Sequence, residues 1–257
     1  MDIAIVFLFG AIIGSFLNVC TYRIPKGESI VTGPSHCTSC GHKLSPKNLI
    51  PIFSFIFQRG RCSYCKKEIS SRYLIIELIN ATLFTAIYIR YGFSPEFFGM
   101  IFLTSILVAI TFIDIELKII PNKLVIAAII GGLMFYITSF FLPVTIYGDS
   151  NWWNPIIGAF SGSILFLLIG LSGSVIYKTD AIGGGDIKIL FPIGLFLGWK
   201  LMITAIFISV VSAALICIVL MIFKIINKKD AVPFGPFIAV GTIVTILYGW
   251  ELLAWYF

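Results

Sequence analysis

Residues 201–223 read LMITAIFISVVSAALICIVLMIF, without one charged side chain. A helix needs about 20 apolar residues to cross the hydrocarbon core of a bilayer. In hydrocarbon the backbone must also satisfy its own N–H and C=O groups, so this stretch specifies a transmembrane helix. Working outward, the same composition recurs at 187–199, 156–176, 124–142, 97–113, 74–89 and 3–19 on one side and at 237–256 on the other. The whole chain agrees: its 257 residues are 59% hydrophobic and 12% charged, against roughly 45–50% and 25% in soluble domains. The pattern predicts an all-α polytopic membrane protein with about eight transmembrane helices and excludes a soluble enzyme, a disordered tail and a fibrous repeat.

The 187–199 run is short and carries Lys188, so it needs independent support. Charge placement supplies it. If the first loop is cytoplasmic and all eight runs cross, every one of the 18 Lys and Arg except Arg90 and Lys200 falls on the inner side, as the positive-inside rule requires. Without the 187–199 span, Lys224, Lys228 and Lys229 would lie outside. Trp152, Trp153, Trp199, Trp250 and Trp255 fall at or beyond the outer ends, where indole rings favour the interface. Both termini then face outward. The leading charge is Asp2 and no small-x-small cleavage site follows, so 3–19 reads as a retained span. The net charge of +6 reports orientation and contact with lipid; no nucleic-acid partner is expected.

One stretch differs from the rest. Residues 21–73 hold nine of the 18 basic residues and four of the six Cys with no continuous apolar span, which predicts a small cytoplasmic domain between the first two helices. The expected division is 1–20 for the first helix, 21–73 for this domain and 74–257 for a membrane-embedded part. Cys37-Thr-Ser-Cys40 and Cys62-Ser-Tyr-Cys65 form two Cys-x-x-Cys turns separated by 21 residues, close to the spacing of a four-thiolate zinc site. Four thiolates leave no open position, so the zinc is structural, and a domain of this size needs it to fold. Disulfides are the alternative, disfavoured by a reducing cytoplasm. His36 and His42 are the other ligand types nearby; Cys20 and Cys217 read as small core residues.

Carboxylates in or beside spans are functional candidates by default, and here they are Glu77, Asp114, Glu116, Asp180, Asp186 and Glu251. Asp114 ends the 97–113 span just before Ile120-Pro121, and Asp186 ends Gly183-Gly184-Gly185-Asp186 at the start of the next-but-two span, so topology puts both at one face. Asp186 in a helix first turn has a capping explanation. Asp114 at a helix carboxy-terminus opposes the dipole and has none. The residues alone leave three readings open: a paired catalytic role, solvated helix ends, or an ion or proton path. Three glycines would let backbone approach an extended substrate.

Asp114 before Ile120-Pro121, Gly183-Gly184-Gly185-Asp186-Ile-Lys188 with Leu197-Gly198-Trp199, and Pro233-Phe234-Gly235-Pro236 resemble the motifs of bacterial type IV prepilin peptidases. So do Gly14-Ser15-Phe16-Leu17-Asn18-Val19, Tyr22-Arg23-Ile24-Pro25, Ser35-His36-Cys37, Leu49-Ile50-Pro51, Gly60-Arg61-Cys62 and Ile69-Ser70-Ser71-Arg72-Tyr73 with Glu77, in that order. Asn122, Thr38 and Leu74 depart from the pattern without removing a Cys or either Asp. The resemblance implies an intramembrane aspartyl protease of the Gly-x-Gly-Asp type, with Asp114 and Asp186 catalytic and Gly183, Gly184 and Gly185 as a substrate loop. It implies prepilin or pseudopilin substrates, cut at a basic leader at the cytoplasmic face of the bacterial inner membrane. It also implies N-methylation of the new amino terminus with S-adenosylmethionine, for which Arg23 and Glu77 are the candidates; as ordinary anchoring residues, the two would instead form an ion pair.

Overall fold

The computed structural model describes residues 1–149, 151–177, 183–227 and 232–256. Lys178, Asp180, Lys228 and Lys229, which entered the charge reading, lie outside the described residues. Among the described residues eight α-helices follow one another: α1 Asp2–Arg23, α2 Phe53–Phe57, α3 Arg72–Tyr91, α4 Pro95–Leu117, α5 Asn122–Thr138, α6 Asn154–Tyr177, α7 Gly184–Ile222 and α8 Gly235–Tyr256, with a 3-10 turn at Pro46–Leu49. Six helices among the described residues are long and apolar enough to cross a membrane, and α5 is a shorter apolar one. The chain is a multi-pass membrane protein.

The eight expected runs do not map one to one. Those at 187–199 and 201–223 are two arms of the 39-residue α7, which breaks at Gly198 with φ 74° and ψ 172°. Such a break strands the C=O of Leu195 and the N–H of Trp199, which a regular helix would join. Both find partners: the Tyr147 hydroxyl donates to Leu195 O at 2.9 Å and Trp199 N–H donates to Asn154 Oδ1 at 2.9 Å. Asn154 in turn donates to Tyr147 O and to Asp149. The Asn154 amide first, then the Asn151 N–H and Lys200, hold the Asp149 carboxyl below its usual range.

The described residues group into two compact units, 1–92 and 93–257. In the first, α1 packs on α3 with backbones in close approach: a Cβ at Gly14 would lie 2.7 Å from Glu77 Cα and one at Gly10 2.8 Å from Ala81 Cα. Asn80 Nδ2 donates across this contact to Gly10 O at 2.8 Å. In the second unit α4 is the central helix, with Met100, Leu103, Leu107, Ile110 and Ile113 fully buried. Pro95 opens α4, the Ser94 hydroxyl accepts from Phe97 N–H, and Lys118 in the left-handed region stops the helix. Helices α6 and α7 touch through Gly158 and Gly194, where a Cβ on Gly158 would lie 2.6 Å from Gly194 O. Small residues at such crossings let membrane helices gain packing and electrostatic contact that lipid cannot supply.

Candidate active site and metal centre

The metal centre is built locally and twice over. In the first hairpin Cys37 N–H donates to His42 O and Gly41 N–H to Cys37 O; in the second Cys62 N–H donates to Lys67 O and Lys66 N–H to Cys62 O, all at 2.8 to 3.0 Å. Isolated bridges His36–Lys43 and Arg61–Glu68 close the two loops. Each turn needs a left-handed residue after its second Cys: Gly41 (φ 70°) supplies it in one and Lys66 (φ 60°) in the other. The sulfurs of Cys37, Cys40, Cys62 and Cys65 lie within 4.8 Å of one another, with Cys37 and Cys65 at 3.9 Å. A zinc–sulfur distance of about 2.3 Å puts tetrahedral sulfurs about 3.8 Å apart, so the four thiols fit a metal ion. The backbone N–H of Ser39, aided by that of Cys40, draws the Cys37 thiol down to about 6. All six Cys are free thiols, and the pairs expected to compete as disulfides are not bonded. His36 and His42 stand outside the cluster; the His42 ring lies on Tyr64, centroids 3.7 Å apart.

The carboxylate pair is built at long range. Asp114 occupies the last turn of α4 and is 5% exposed. Its Oδ2 accepts the N–H of Gly235, the first residue of α8, at 2.9 Å. The dipole of its own helix opposes Asp114, but the amino-terminus of another helix faces it. A Cβ at Gly235 would sit 2.7 Å from Asp114 Oδ2, so any side chain there would push the carboxylate aside. Asp186 is the third residue of α7, an acidic residue in its first turn, and half-buried; the N-cap is Gly183, which has no side chain to cap with. The two carboxylates are close enough to act on each other electrostatically.

The glycines before Asp186 differ in their surroundings. Gly185 lets the start of α7 close on the turn after α4, since its Cβ would lie 2.8 Å from Ile120 Cβ; Gly184 has open space, and a Cβ on Gly183 would approach Asp186 Oδ2 at 2.9 Å. Lys188 Nζ donates to Asn122 Oδ1 at 3.3 Å, tying the starts of α7 and α5 together.

Arg23 and Glu77 are both buried, but not as an ion pair. The Arg23 guanidinium donates to the carbonyls of Ser29, Thr32, Gly33 and Pro34 at 3.0 to 3.4 Å, moulding that loop around the end of α1. Glu77 Oε2 accepts the N–H of Ile52 at 2.7 Å. Sequence reasoning missed Ile52, Asn154 and the bond from Gly235. The signal for the last was present in Pro233-Phe234-Gly235-Pro236, a glycine between prolines at a helix start.

Residues 8–91 match the profile of the Bacterial Peptidase A24 N-terminal domain and residues 101–218 that of the Type IV leader peptidase family. A protein of Bacillus subtilis (strain 168) named prepilin leader peptidase/N-methyltransferase is 36% identical over 254 residues, covering 99% of this chain and 97% of the relative. Proteins of the same name from Aeromonas hydrophila and Pseudomonas aeruginosa are 29% and 27% identical, covering 98% and 97% of this chain and 93% and 91% of theirs. No solved structure matches the chain significantly.

Proposed function

Because the chain belongs to the bacterial type IV leader peptidase family, we propose that it cuts the short basic leader from type IV prepilins or pseudopilins and N-methylates the new amino terminus. Cleavage is hydrolysis on Asp114 and Asp186, in the cytoplasmic membrane with the pair and the four-Cys segment 21–73 at the cytoplasmic face and both termini outside. The observation that carries the peptidase assignment is the meeting of two carboxylates from separate apolar helices, one of them held by a backbone N–H donor 121 residues away.

Two carboxylates at short range cannot both ionise cheaply, so the pair holds one shared proton. The ionised member takes a proton from water as the oxygen attacks the scissile carbonyl; the protonated member donates to that carbonyl oxygen. The tetrahedral intermediate collapses when its C–N bond breaks and the amine leaves with a proton from the pair, without an acyl-enzyme. A backbone N–H donor serves a carboxylate oxygen better than a carboxyl O–H, so the Gly235 contact favours Asp114 as base and Asp186 as acid. Gly183, Gly184 and Gly185 precede the acid and form the loop along which an extended peptide lies. Zinc on Cys37, Cys40, Cys62 and Cys65 supplies folding free energy to a segment with little core of its own.

Methyl transfer from S-adenosylmethionine follows from family membership. Arg23 is engaged by backbone carbonyls and Glu77 by the N–H of Ile52 and the Ser15 side chain, so we give them a positioning part, shaping the polar ends of α1 and α3. Co-expression with pilin-like precursors tests both activities. Wild type should shift the precursor to a shorter, N-methylated product by mass spectrometry, and Asp186→Asn at equal protein level should leave it full length. A product cut but unmethylated with added S-adenosylmethionine would leave the chain a peptidase only.

A further inference from the structure

The four-Cys segment carries an apolar surface that its metal centre does not explain. Between the two hairpins the chain reads Leu49-Ile-Pro-Ile-Phe-Ser-Phe-Ile-Phe57. Ile50, Phe53, Ile56 and Phe57 are 49%, 48%, 57% and 81% exposed. Contiguous apolar surface of this kind marks an interaction site rather than an ordinary water-facing loop.

Ile52 points the other way. It is 9% exposed and belongs to a cluster with Ala11 of α1 and Ala81 of α3, against which Phe7 and Leu74 pack. Its φ of 64° with ψ −56° is the rare classic γ-turn conformation, which costs a non-glycine residue about 1–3 kcal/mol. The packing and the 2.7 Å bond from its N–H to Glu77 offset that cost.

The depth of this contact decides what surrounds the exposed members. At about 1.5 Å per residue, Glu77 lies about 7.5 Å and Ala81 about 13.5 Å along α3 from Arg72. Ala11 lies about 18 Å along α1 from Arg23. Half of a bilayer's hydrocarbon core is only about 15 Å thick. Ile52 therefore packs against residues well below the basic ends of two spans, while Lys47 and Arg59 on either side of it are exposed.

We propose that residues 49–57 form a re-entrant wedge in the leaflet at the Arg23 and Arg72 ends of α1 and α3. Ile50, Phe53, Ile56 and Phe57 contact lipid acyl chains, and Lys47 and Arg59 meet anionic headgroups. Three features suit that solvent. The two spans against which Ile52 packs also expose apolar side chains, including Ile12 and Phe16 of α1 and Ile75 and Ile79 of α3. Basic flanks complement an anionic surface. Irregular backbone at membrane depth needs its polar groups paired, and the turn around Ile52 pairs several of them: Phe53, Ser54 and Ile56 donate to Pro51, Ile50 and Ile52 carbonyls, Pro51 has no N–H, and Glu77 takes the N–H of Ile52. Glu77 is thus a latch for the wedge.

Photo-crosslinking tests this in the full-length, zinc-loaded protein reconstituted in phosphatidylethanolamine and phosphatidylglycerol vesicles. A benzophenone amino acid replaces Phe57 or, as control, Val31, which lies in the same segment and is 87% exposed. Zinc content verifies that each variant is folded. Lipid adducts detected by mass spectrometry should be several-fold more abundant from position 57 than from position 31. Equal yields from the two positions, or adducts from position 57 to protein in place of lipid, would overturn the wedge.

Discussion

The thiol cluster and the carboxylate pair are assembled in opposite ways. Four sulfurs are gathered by two hairpins that repeat the same backbone hydrogen bonds, each closed within six residues. The carboxylates depend on α4, α7 and α8 arriving together, and the bond that fixes Asp114 spans 121 residues. A local centre fails when its own residues change. A centre made by packing also fails when distant contacts change.

The contrast breaks first, and hardest, at the metal. Cys62→Ser should remove a binding free energy on the order of 10 kcal/mol from the first unit. Purified protein should fall from about one zinc per chain to none, and residues 1–92 should become protease-sensitive. If cleavage also disappears in protein that still inserts, the two centres are not independent. Asp114→Asn and Asp186→Asn come next. Each should lower cleavage by about 10²–10⁴-fold or more while zinc content stays at wild type. Wild-type turnover by either variant would end the catalytic assignment.

Gly235→Ala sharpens the comparison, because it touches no titratable group yet puts a carbon 2.7 Å from Asp114 Oδ2. A displacement near 1 Å at a reacting centre costs about 10²-fold, so kcat should fall to that extent with protein level and zinc unchanged. Full activity would show that the Gly235 bond does not position the carboxylate. The smallest effect belongs to the hairpins. Lys66→Gly relieves a left-handed lysine and should raise the stability of the zinc-loaded protein by about 1 kcal/mol, read as a higher Tm. A drop would mean that the Lys66 side chain contributes more than its backbone costs.

What the sequence discloses follows the same division. The cysteines are legible because ligand spacing is a local property, and Gly41 even marks its turn. Asp114 and Asp186 are legible as charges out of place among Phe112, Ile113 and Ile187. Gly235 is legible only as part of Pro233-Phe234-Gly235-Pro236, which marks a helix start but names no partner three spans away. The break in α7 is half legible: Trp199 and Lys200 mark where an outer end should be, yet helical geometry resumes at once because Tyr147 and Asn154 satisfy the groups that Gly198 releases. Ile52 was hidden by its setting, an apolar residue in a segment otherwise read by its cysteines and lysines.

The contact of α6 with α7 at Gly158 and Gly194 has a consequence for genetics. It lies eight residues along α7 from Asp186, about 12 Å at a helical rise of ~1.5 Å. With backbone on both sides and no side chain available to repack, an added methyl group is transmitted as movement of the whole helix arm. In a random screen for chains that accumulate normally but no longer cut, alleles at these two glycines will be recovered beside those at the aspartates. Changes at exposed Leu215 or Ile218 on the other arm will pass unnoticed.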